Sequence, residues 1–351
     1  MNLQDQQLLP VREKLQKAIE LELATIPPYL TALFSIRPGT NAMAASIIRS
    51  VVMEEMLHML LAGNLLSAIG GNVRLGKEQI PVYPVQMEFQ GKQFKNRQFD
   101  IHLAAFSKDT INVFLQIELP DGWMVSPLEF DRITVPGFTI GEFYRGIKDD
   151  LVHLCNTYGE ENIFTGKKEN QVSVEYFWRG GGTPIVVTSL ANATAAIDLI
   201  VEQGEGSSVN TVVKAFSFTG TDEVPHYFRF NEIYHGRLYN KNDDPYHSPT
   251  GDAIDIDYTA VFPIKTSCKS SDLQQFPELS YLNNLFNNNY TTMLSQLEEG
   301  FNGNPAAFYT AILNGMHKLS PLAYNLVQLP IPGDPKGSHA APSFEWHIDH
   351  F

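Results

Sequence analysis

Two segments of this 351-residue sequence place a histidine three residues after a glutamate: Glu55 precedes His58, and Glu223 precedes His226. Residues three apart lie on the same side of a helix, about one turn from each other, so each pair could bind one metal ion. Methionine and leucine surround the first pair in the sequence, and burying an unpaired carboxylate costs several kcal/mol. We therefore interpret the pairs as buried metal ligands rather than solvated surface charges.

Single glutamates on two further predicted helices complete the pattern. Glu22 lies on the apolar face of the first helix, and Glu202 and Glu205 lie near the end of a helix that starts at residue 190. One glutamate from each of two helices and a Glu-x-x-His pair from each of two others form the dinuclear carboxylate sites of four-helix bundles. Such a ligand set suits two iron ions, with manganese as an alternative. The predicted metal ligands are Glu22, Glu55, His58, Glu223, His226 and either Glu205 or Glu202.

Other polar residues compete for a place in this site. Glu232 and His235 form another Glu-x-x-His pair on the same predicted helix as His226. Glu142 lies early in a separate helix, and Asp198 lies one turn before Glu202, where it could support a ligand from behind. A metal-free alternative is a buried network in which the carboxylates and imidazoles only hydrogen-bond to one another.

Long helices must position these groups. Apolar residues at steps of three and four predict helices over residues 11–36 and 41–69, and the short connection makes them an antiparallel pair. Pro27 and Pro28 fall inside the first of these helices, where interior prolines bend a helix and would open space beside the site. Further helices are predicted over 107–118, 140–156, 190–203, 222–239, 277–299 and 305–327.

The remaining segments break the helical period. Prolines and an alternating run at 99–103 predict an α/β insertion over 72–137 that lies across the outside of the bundle. A strand-like run is predicted at 185–188, a surface loop at 240–270 and an extended tail at 330–342. The predicted fold is mainly α: one domain over 1–351 with a four-helix core, the 72–137 insertion and a C-terminal helical hairpin over 272–329.

Charge and composition exclude several classes of function. The chain has 25 basic and 39 acidic residues, and its net charge of -14 repels nucleic acids and anionic lipids. Apolar residues make up 43% of the chain, enough for a large core, yet no apolar run approaches the roughly 20 residues that span a bilayer. Cys155 and Cys268 are too few for a disulfide framework or a thiolate zinc site. Because the first residues lack the features of a secretory signal, we expect a cytoplasmic protein.

Five short segments together resemble a known family. Their order is similar to that in the ferritin-like domain of the iminophenyl-pyruvate dimer synthases, which include the synthases of violacein and rebeccamycin biosynthesis. The similarity extends over about residues 11–345. The segments are AIELELATIPPYL at 18–30, EEMLHM at 54–59, TIGEFY at 139–144, EQGEG at 202–206 and HYFRF at 226–230.

This resemblance implies a ferritin-like four-helix bundle with an α/β insertion and a C-terminal helical hairpin. It favours Glu205 as the ligand from the 190–205 segment, with Glu202 as a neighbour or alternative, and it favours Glu223 and His226 over the second pair on that helix. The dimer synthases couple two imines of an aryl-pyruvate oxidatively and are far longer than this chain. We therefore carry over the bundle and its metal ligands, but neither the coupling reaction nor the haem of those enzymes.

The leading functional hypothesis is a dioxygen-dependent, non-haem dinuclear metal oxidoreductase. Its expected partners are dioxygen and a small aromatic or amino-acid-derived substrate such as an imine, and a homodimer is compatible with the sequence. Two alternatives use the same fold. One is an iron-handling ferroxidase, which the bulky 72–137 insertion argues against, and the other is a metal-free scaffold.

Overall fold

The computed structural model describes residues 3–88, 98–120, 139–177, 180–204 and 224–347. Helices dominate these parts of the chain, as predicted. In chain order the elements are α1 Leu3–Ser35, α2 Ala42–Ala68, β1 Val85–Glu88, β2 Gln98–Ile101, α3 Lys108–Ile117, α4 Ile140–Tyr158, α5 Glu160–Ile163, α6 Leu190–Gly204, α7 His226–His235, α8 Ser270–Leu273, α9 Pro277–Phe301, α10 Pro305–Thr310, a π-helix Ala311–Met316 and α11 His317–Val327, with single 3₁₀ turns at Lys77–Gln79 and Lys168–Asn170.

Four helices form a ring around the main core. Helix α1 packs against α2 and α4, and α6 packs against both α2 and α4, which closes the four-helix bundle. The antiparallel pairing of α1 with α2 agrees with the prediction. Helix α1 begins earlier than predicted because Leu8 and Val11 extend its buried stripe toward the N-terminus. The predicted role of a bundle helix for residues 222–239 is wrong, since α4 takes the fourth side of the ring.

The adjacent prolines Pro27 and Pro28 are accommodated inside α1 without interrupting the helix. Pro28 has no N–H to donate to the carbonyl of Ala24, which would otherwise be left without its helical partner. The Tyr83 hydroxyl donates to that carbonyl at 2.8 Å instead. Thr31 donates its hydroxyl to the Pro27 carbonyl at 2.7 Å. The Tyr83 hydroxyl thus replaces the hydrogen bond that Pro28 removes, and the Thr31 hydroxyl is an additional donor to the Pro27 carbonyl.

The 72–137 insertion contains the two predicted types of element in its described part. Strand β1 pairs antiparallel with β2, with Val85 opposite Ile101, and Ser107 caps α3 by accepting the Thr110 N–H. We predicted that the insertion lies across the outside of the bundle, but helix α3 has a different position. It packs against α1 and α7, because Ile111 and Phe114 form an apolar face that is fully buried there.

The strand predicted at residues 185–188 does not form. This segment is extended but pairs with side chains rather than with another strand. The Gln171 amide bonds both the N–H and the carbonyl of Val187 at 2.7 Å, and Asn64 on α2 donates to the Ile185 carbonyl at 3.0 Å. Buried amide side chains therefore satisfy the backbone groups that a sheet would have paired.

Helix α7 begins four residues later than predicted. Pro225 lies at its N-cap, and a proline disfavours the helical conformation in the residue before it, so the helix starts at His226 rather than at 222. A capping box begins α4, in which the Thr139 hydroxyl accepts the Glu142 N–H and the Glu142 carboxylate accepts the Thr139 N–H.

The C-terminal helices form the predicted hairpin. Helix α9 packs against α10, the π-helix and α11, and the hairpin contacts both α1 and α2. The 240–270 loop and the extended tail also agree with the prediction. The division of the chain at residues 72–137 and 272–329 within one domain stays a prediction. None of the helices in the described ranges combines the length and the hydropathy that crossing a bilayer requires.

Candidate metal centre

Five ionisable side chains from four helices meet inside the bundle. Glu22 comes from the middle of α1, Glu55 and His58 from the middle of α2, Glu118 from the residue that ends α3, and His226 from the first residue of α7. No more than 3% of any of these residues is exposed. Burial of so many charged groups in one place indicates a ligand site, because unpaired buried charges are strongly destabilising.

Glu55 lies between the two histidines. Its Oε2 is 3.6 Å from Nδ1 of His58, and its Oε1 is 3.1 Å from Nδ1 of His226. A second carboxylate faces each imidazole: Oε2 of Glu22 is 3.9 Å from Nδ1 of His58, and Oε2 of Glu118 is 3.5 Å from Nδ1 of His226. The site therefore has a Glu22 half-site (Glu22, Glu55, His58) and a Glu118 half-site (Glu118, Glu55, His226) that share Glu55.

The outer nitrogen of each imidazole is held by a fixed acceptor. Nε2 of His58 lies 3.0 Å from Oε1 of Gln203, whose own amide nitrogen donates to the Gly181 carbonyl at 2.7 Å. Nε2 of His226 lies 2.9 Å from Oε2 of Glu54. Both acceptors suit a proton on Nε2, and each ring therefore turns its Nδ1 atom toward the carboxylates. Metal-binding histidines are oriented in this way.

Two tyrosines hold the outer carboxylates from behind. The Tyr144 hydroxyl donates to Oε1 of Glu22 at 2.5 Å, and the Tyr29 hydroxyl donates to Oε1 of Glu118 at 2.5 Å. In each carboxylate, one oxygen is thereby engaged and the other, Oε2, is turned toward a histidine. The two half-sites are built in the same way from different helices.

The carboxylates of this site repel one another. Burial raises the pKa of Glu22 well above its ordinary value and that of Glu118 above it, and the negative charge of Glu55 raises both further. Burial also acts to raise the pKa of Glu55, but contacts with His226 and His58 outweigh it and hold this pKa well below the ordinary range. Burial lowers the pKa of His226, and the surrounding Glu118, Glu54 and Glu55 reverse that effect and raise it well above normal.

The donor set fits a metal-binding cluster. Single ligand atoms of Glu55, His58 and His226 all lie within 4.8 Å of one another, as a shared ion would require. Nδ1 of His226 is buried and makes no hydrogen bond of acceptable geometry with any residue that the structure describes. A cation there would satisfy this nitrogen and offset the carboxylate charge. Oxygen and imidazole donors together suit iron or manganese.

A family model described as ferritin-like matches residues 15–235. The chain belongs to the ferritin-like family. Two curated relatives of this ferritin-like protein are enzymes that are longer than this chain. It is 24% identical over 327 residues to dichlorochromopyrrolate synthase of Lentzea aerocolonigenes, covering 84% of this chain and 29% of the relative. It is also 24% identical over 227 residues to 2-imino-3-(indol-3-yl)propanoate dimerase of Chromobacterium violaceum, covering 56% of this chain and 21% of the relative.

A solved structure has the same fold over almost its whole length. It is that of a ferritin-like protein from Caulobacter vibrioides, which superimposes with a TM-score of 0.60 at 23% sequence identity and covers 95% of this chain and 98% of that one. The chain spans less than a third of the length of the two curated relatives. The resemblance to the dimer synthase family and the mainly helical, ferritin-like fold inferred from the sequence are therefore confirmed.

The predicted ligands of this ferritin-like protein have different outcomes in the structure. Four of them, Glu22, Glu55, His58 and His226, are brought together, while Glu205 and Glu223 lie outside the described residues. The structure does not bring Glu202 to the site. That residue is half-buried beside Asp198, whose charge adds to partial burial in raising the pKa of Glu202. Asp198 pairs with Lys148 at 2.8 Å rather than supporting a ligand.

The side chain that α6 directs into the site is Gln203. It continues the buried stripe of Ala196 and Ile200, whereas Glu202 continues the outer stripe of Asp198. The sequence prediction named only the acidic residues of this segment as ligands and therefore missed the neutral Gln203. Its stripe position was nevertheless readable in the sequence.

Sequence reasoning also missed Glu118. This glutamate follows Ile111, Phe114 and Leu115 at the spacing of an apolar helix face, so it occupies a core position of α3. The same signal identified Glu22 on α1. The sequence prediction placed the insertion outside the bundle, and only the packing of α3 against α1 and α7 brings Glu118 to the site.

Within the described ranges, the competing pair Glu232–His235 does not belong to any cluster of metal-ligating side chains. Glu232 is buried on α7 and accepts the Tyr239 N–H at 2.8 Å, while His235 is exposed at the end of the helix. Burial raises the pKa of Glu232 to about 7, although the Tyr239 N–H and the Arg229 charge oppose the shift. Glu232 is therefore a buried acid that holds its proton at mildly acidic pH.

Replacing Glu232 with glutamine should stabilise the protein increasingly as the pH rises. The folded-state pKa of about 7 exceeds the unfolded value near 4.5, so the contribution of Glu232 to stability is complete below pH 4.5 and is lost as the pH passes 7. Glutamine keeps the acceptor for Tyr239 and never ionises. Between pH 5 and 8, we expect the gain of Glu232→Gln over wild type to grow by on the order of 1–3 kcal/mol.

Urea unfolding at several pH values measures this difference. Glu175 is exposed, so Glu175→Gln serves as the matched control and should show no such trend. A constant difference between Glu232→Gln and wild type across this pH range would contradict the prediction.

Proposed function

We propose that this protein is a non-haem dinuclear iron oxidoreductase that uses dioxygen to oxidise a small aromatic or amino-acid-derived imine. One observation carries the proposal: two buried imidazoles direct their Nδ1 atoms at a common set of carboxylates, and Glu55 faces both. A pair of irons bound there would supply redox chemistry with dioxygen. The fold and this donor set support such a site, with manganese as the alternative metal.

The proposed ligands divide between the two half-sites. Glu22 and His58 would hold one ion, Glu118 and His226 would hold the other, and Glu55, which faces both histidines, would serve both half-sites. Glu205 and Glu223 remain predicted ligands from the sequence. In this arrangement Glu118 is a ligand from the insertion, which links the insertion directly to the chemistry.

Residues around the ligands have positioning roles in this proposal. Tyr144 and Tyr29 each engage one oxygen of an outer carboxylate, so the other oxygen is available to an ion. Phe114 and Phe230 pack on the Tyr29 ring at centroid distances of 4.5 and 5.1 Å. This aromatic packing excludes water from the Glu118 half-site, and a low-polarity environment strengthens the interactions of the bound charges.

The substrate class comes from the relatives. The dimerase is named for a substrate that joins an indole ring, an imine and a carboxylate, and the synthase for an aromatic carboxylate product. The chain covers less than a third of either enzyme, so we propose only the class of substrate and dioxygen as the electron acceptor. A cytoplasmic location and a homodimer stay predictions from the sequence.

Metal analysis followed by oxygen uptake tests this proposal. After anaerobic loading with ferrous iron and desalting, we expect about two irons per chain, as the two half-sites imply. With 2-imino-3-(indol-3-yl)propanoate generated from tryptophan by an amino-acid oxidase with catalase present, dioxygen uptake should exceed the uptake of the oxidase and catalase alone. Uptake that tracks only added iron would instead identify a ferroxidase, and absence of bound metal would identify a scaffold.

A further inference from the structure

A second functional feature is an apolar cavity on the other side of the α1–α2 pair. Its volume is about 260 Å³, and it is enclosed by α1, α2, α9, the π-helix and α11. A cavity of about 150 Å³ is large enough for benzene, so this one can hold more than a single ring. Its lining extends along α2 from Arg49 to Met59, a span of about 15 Å.

The cavity adjoins the metal centre through one layer of helix. Leu23, Met56 and Met59 line it, and each directly follows a residue of the Glu22 half-site in the sequence. Consecutive residues of a helix are rotated by about 100°. Helices α1 and α2 therefore present metal ligands on one face and the cavity wall on the neighbouring face.

Methionine and aromatic side chains make up about half of the cavity wall, and aliphatic side chains form most of the rest. Five of the nine methionines of the chain line it, and Phe34, Phe177 and Phe308 add aromatic rings. Methionine sulfur makes favourable contacts with aromatic rings and adapts to their shape. The wall thus suits a flat aromatic body better than a polar one. The lining methionines are Met53, Met56, Met59, Met293 and Met316.

One buried polar group inside the cavity has no partner. Tyr290 lines the cavity and is 2% exposed, and its hydroxyl makes no hydrogen bond with any residue in the described ranges. Leaving a buried hydroxyl unpaired is costly. A ligand with one hydrogen-bonding group on its ring would satisfy Tyr290 without needing further polar atoms in the wall.

A cationic group stands where the cavity reaches the surface. Arg49 is exposed and lines the cavity, and no ion pair joins it to any residue that the structure describes. A guanidinium binds carboxylates in a paired geometry. Arg49 at the rim and Tyr290 inside are therefore two polar groups of a wall that also includes His317, Ser320 and Tyr324.

The π-helix shapes the far wall. Ile312 and Met316 from this segment line the cavity, and Asn289 on α9 donates to the Gly315 carbonyl at 2.9 Å. A side chain at Gly315 would lie 2.6 Å from Met293, so glycine permits the close approach of the π-helix to α9. Single-turn π segments occur frequently at functional sites.

We propose that this cavity binds an aromatic monocarboxylate whose ring carries one hydrogen-bonding group. The ring lies among the methionines, the ring's polar group bonds Tyr290, and the carboxylate pairs with Arg49. This proposal concerns binding and does not require activity at the metal centre.

Calorimetric titration with indole-3-propanoate tests the proposal, using the full chain both loaded with iron and treated with chelator. We expect saturable binding of one molecule in both states. Two matched ligands separate the contacts: 3-methylindole lacks the carboxylate, and 1-naphthalenepropanoate lacks the ring N–H. Each should bind at least about tenfold more weakly than indole-3-propanoate.

Variants assign the binding to this cavity. Arg49→Gln should weaken the binding of indole-3-propanoate by about tenfold. The control Lys318→Gln removes an exposed charge nearby that does not line the cavity, and it should leave this affinity unchanged. Tyr290→Phe should weaken the binding of indole-3-propanoate by about tenfold but leave the affinity for 1-naphthalenepropanoate unchanged. Ile312→Trp fills the cavity and should abolish binding of both.

Several results would overturn the proposal. These are the absence of saturable binding, equal binding of 3-methylindole, or insensitivity of binding to both Arg49→Gln and Tyr290→Phe. Binding that disappears when iron is removed would place the ligand at the metals instead. Loss of metal binding in the wild-type protein with intact indole-3-propanoate binding would refute the proposed oxidoreductase while supporting the cavity.

Discussion

Replacing Glu55 with glutamine should abolish iron binding at both half-sites. The two Glu55 oxygens face different histidines, at 3.6 and 3.1 Å, so a neutral amide removes a negative ligand from both ions at once. Removing only a partner behind a ligand typically costs 10–100-fold in metal affinity, and loss of a shared ligand should cost more. We expect the iron content after anaerobic iron loading, measured by elemental analysis, to fall from about two irons per chain to nearly none.

Variants of the outer carboxylates show whether Glu55 is shared. Glu22→Gln and Glu118→Gln should each retain about one iron per chain, because each leaves the opposite half-site intact. Glu232→Gln is the matched control, since Glu232 is a buried carboxylate on the helix of His226 but lies outside the site, and it should retain two irons. Wild-type metal content in Glu55→Gln would refute the site, and equal loss in all three ligand variants would refute the shared role.

Replacing Arg229 with leucine should destabilise the fold by about 3–5 kcal/mol. Arg229 is 4% exposed and donates to both oxygens of Glu54, at 2.9 and 2.8 Å, to Ser50 and to the Val224 carbonyl. Without the guanidinium, the Glu54 carboxylate would remain buried beside His226 but would lose the two hydrogen bonds and the positive charge that stabilise it. Urea unfolding of the metal-free protein measures this effect without a contribution from bound iron.

A second variant and a control separate the charge effect from general damage. Adding Glu54→Gln to Arg229→Leu removes the buried charge and should recover part of the lost stability. Arg37 is an exposed arginine that stacks over the Phe262 ring at 4.7 Å, and Arg37→Leu should cost no more than about 1 kcal/mol. A loss below about 1 kcal/mol for Arg229→Leu would show that this pair does not stabilise the α2–α7 contact.

The Arg229–Glu54–His226 chain connects stability to the site. Glu54 and Glu55 are adjacent on α2, and their side chains contact opposite nitrogens of the same imidazole. One carboxylate orients the His226 ring and the other faces it across the site. This double contact explains why two consecutive glutamates are buried in an otherwise apolar helix.

The side chains that α1 and α2 contribute to the metal centre could largely be predicted from the sequence. Glu22, Glu55 and His58 interrupt apolar stripes of helical period, and burial of a carboxylate is costly enough to imply a partner. The short connection between the helices forces an antiparallel pair, which brings the middle of one helix level with the middle of the other. Local period and a short turn were sufficient here, because they restrict the pairing to one arrangement.

The parts of the site distant in sequence depended on packing. Glu118 lies in the insertion and reaches the centre only because α3 packs against α1 and α7, which no local pattern specifies. The preference for Gln203 over Glu202 depends on which face of α6 meets α2, and α4 rather than α7 completes the ring.

The sequence by itself determined the helical class, the acidic and histidine ligand types and the α1–α2 half of the centre, because periodicity and burial cost are local properties. Only the tertiary structure decided that Glu118 joins His226 and that a methionine-lined cavity backs the same two helices. Both follow from how separate helices dock, and docking depends on side-chain contacts between segments about a hundred or more residues apart.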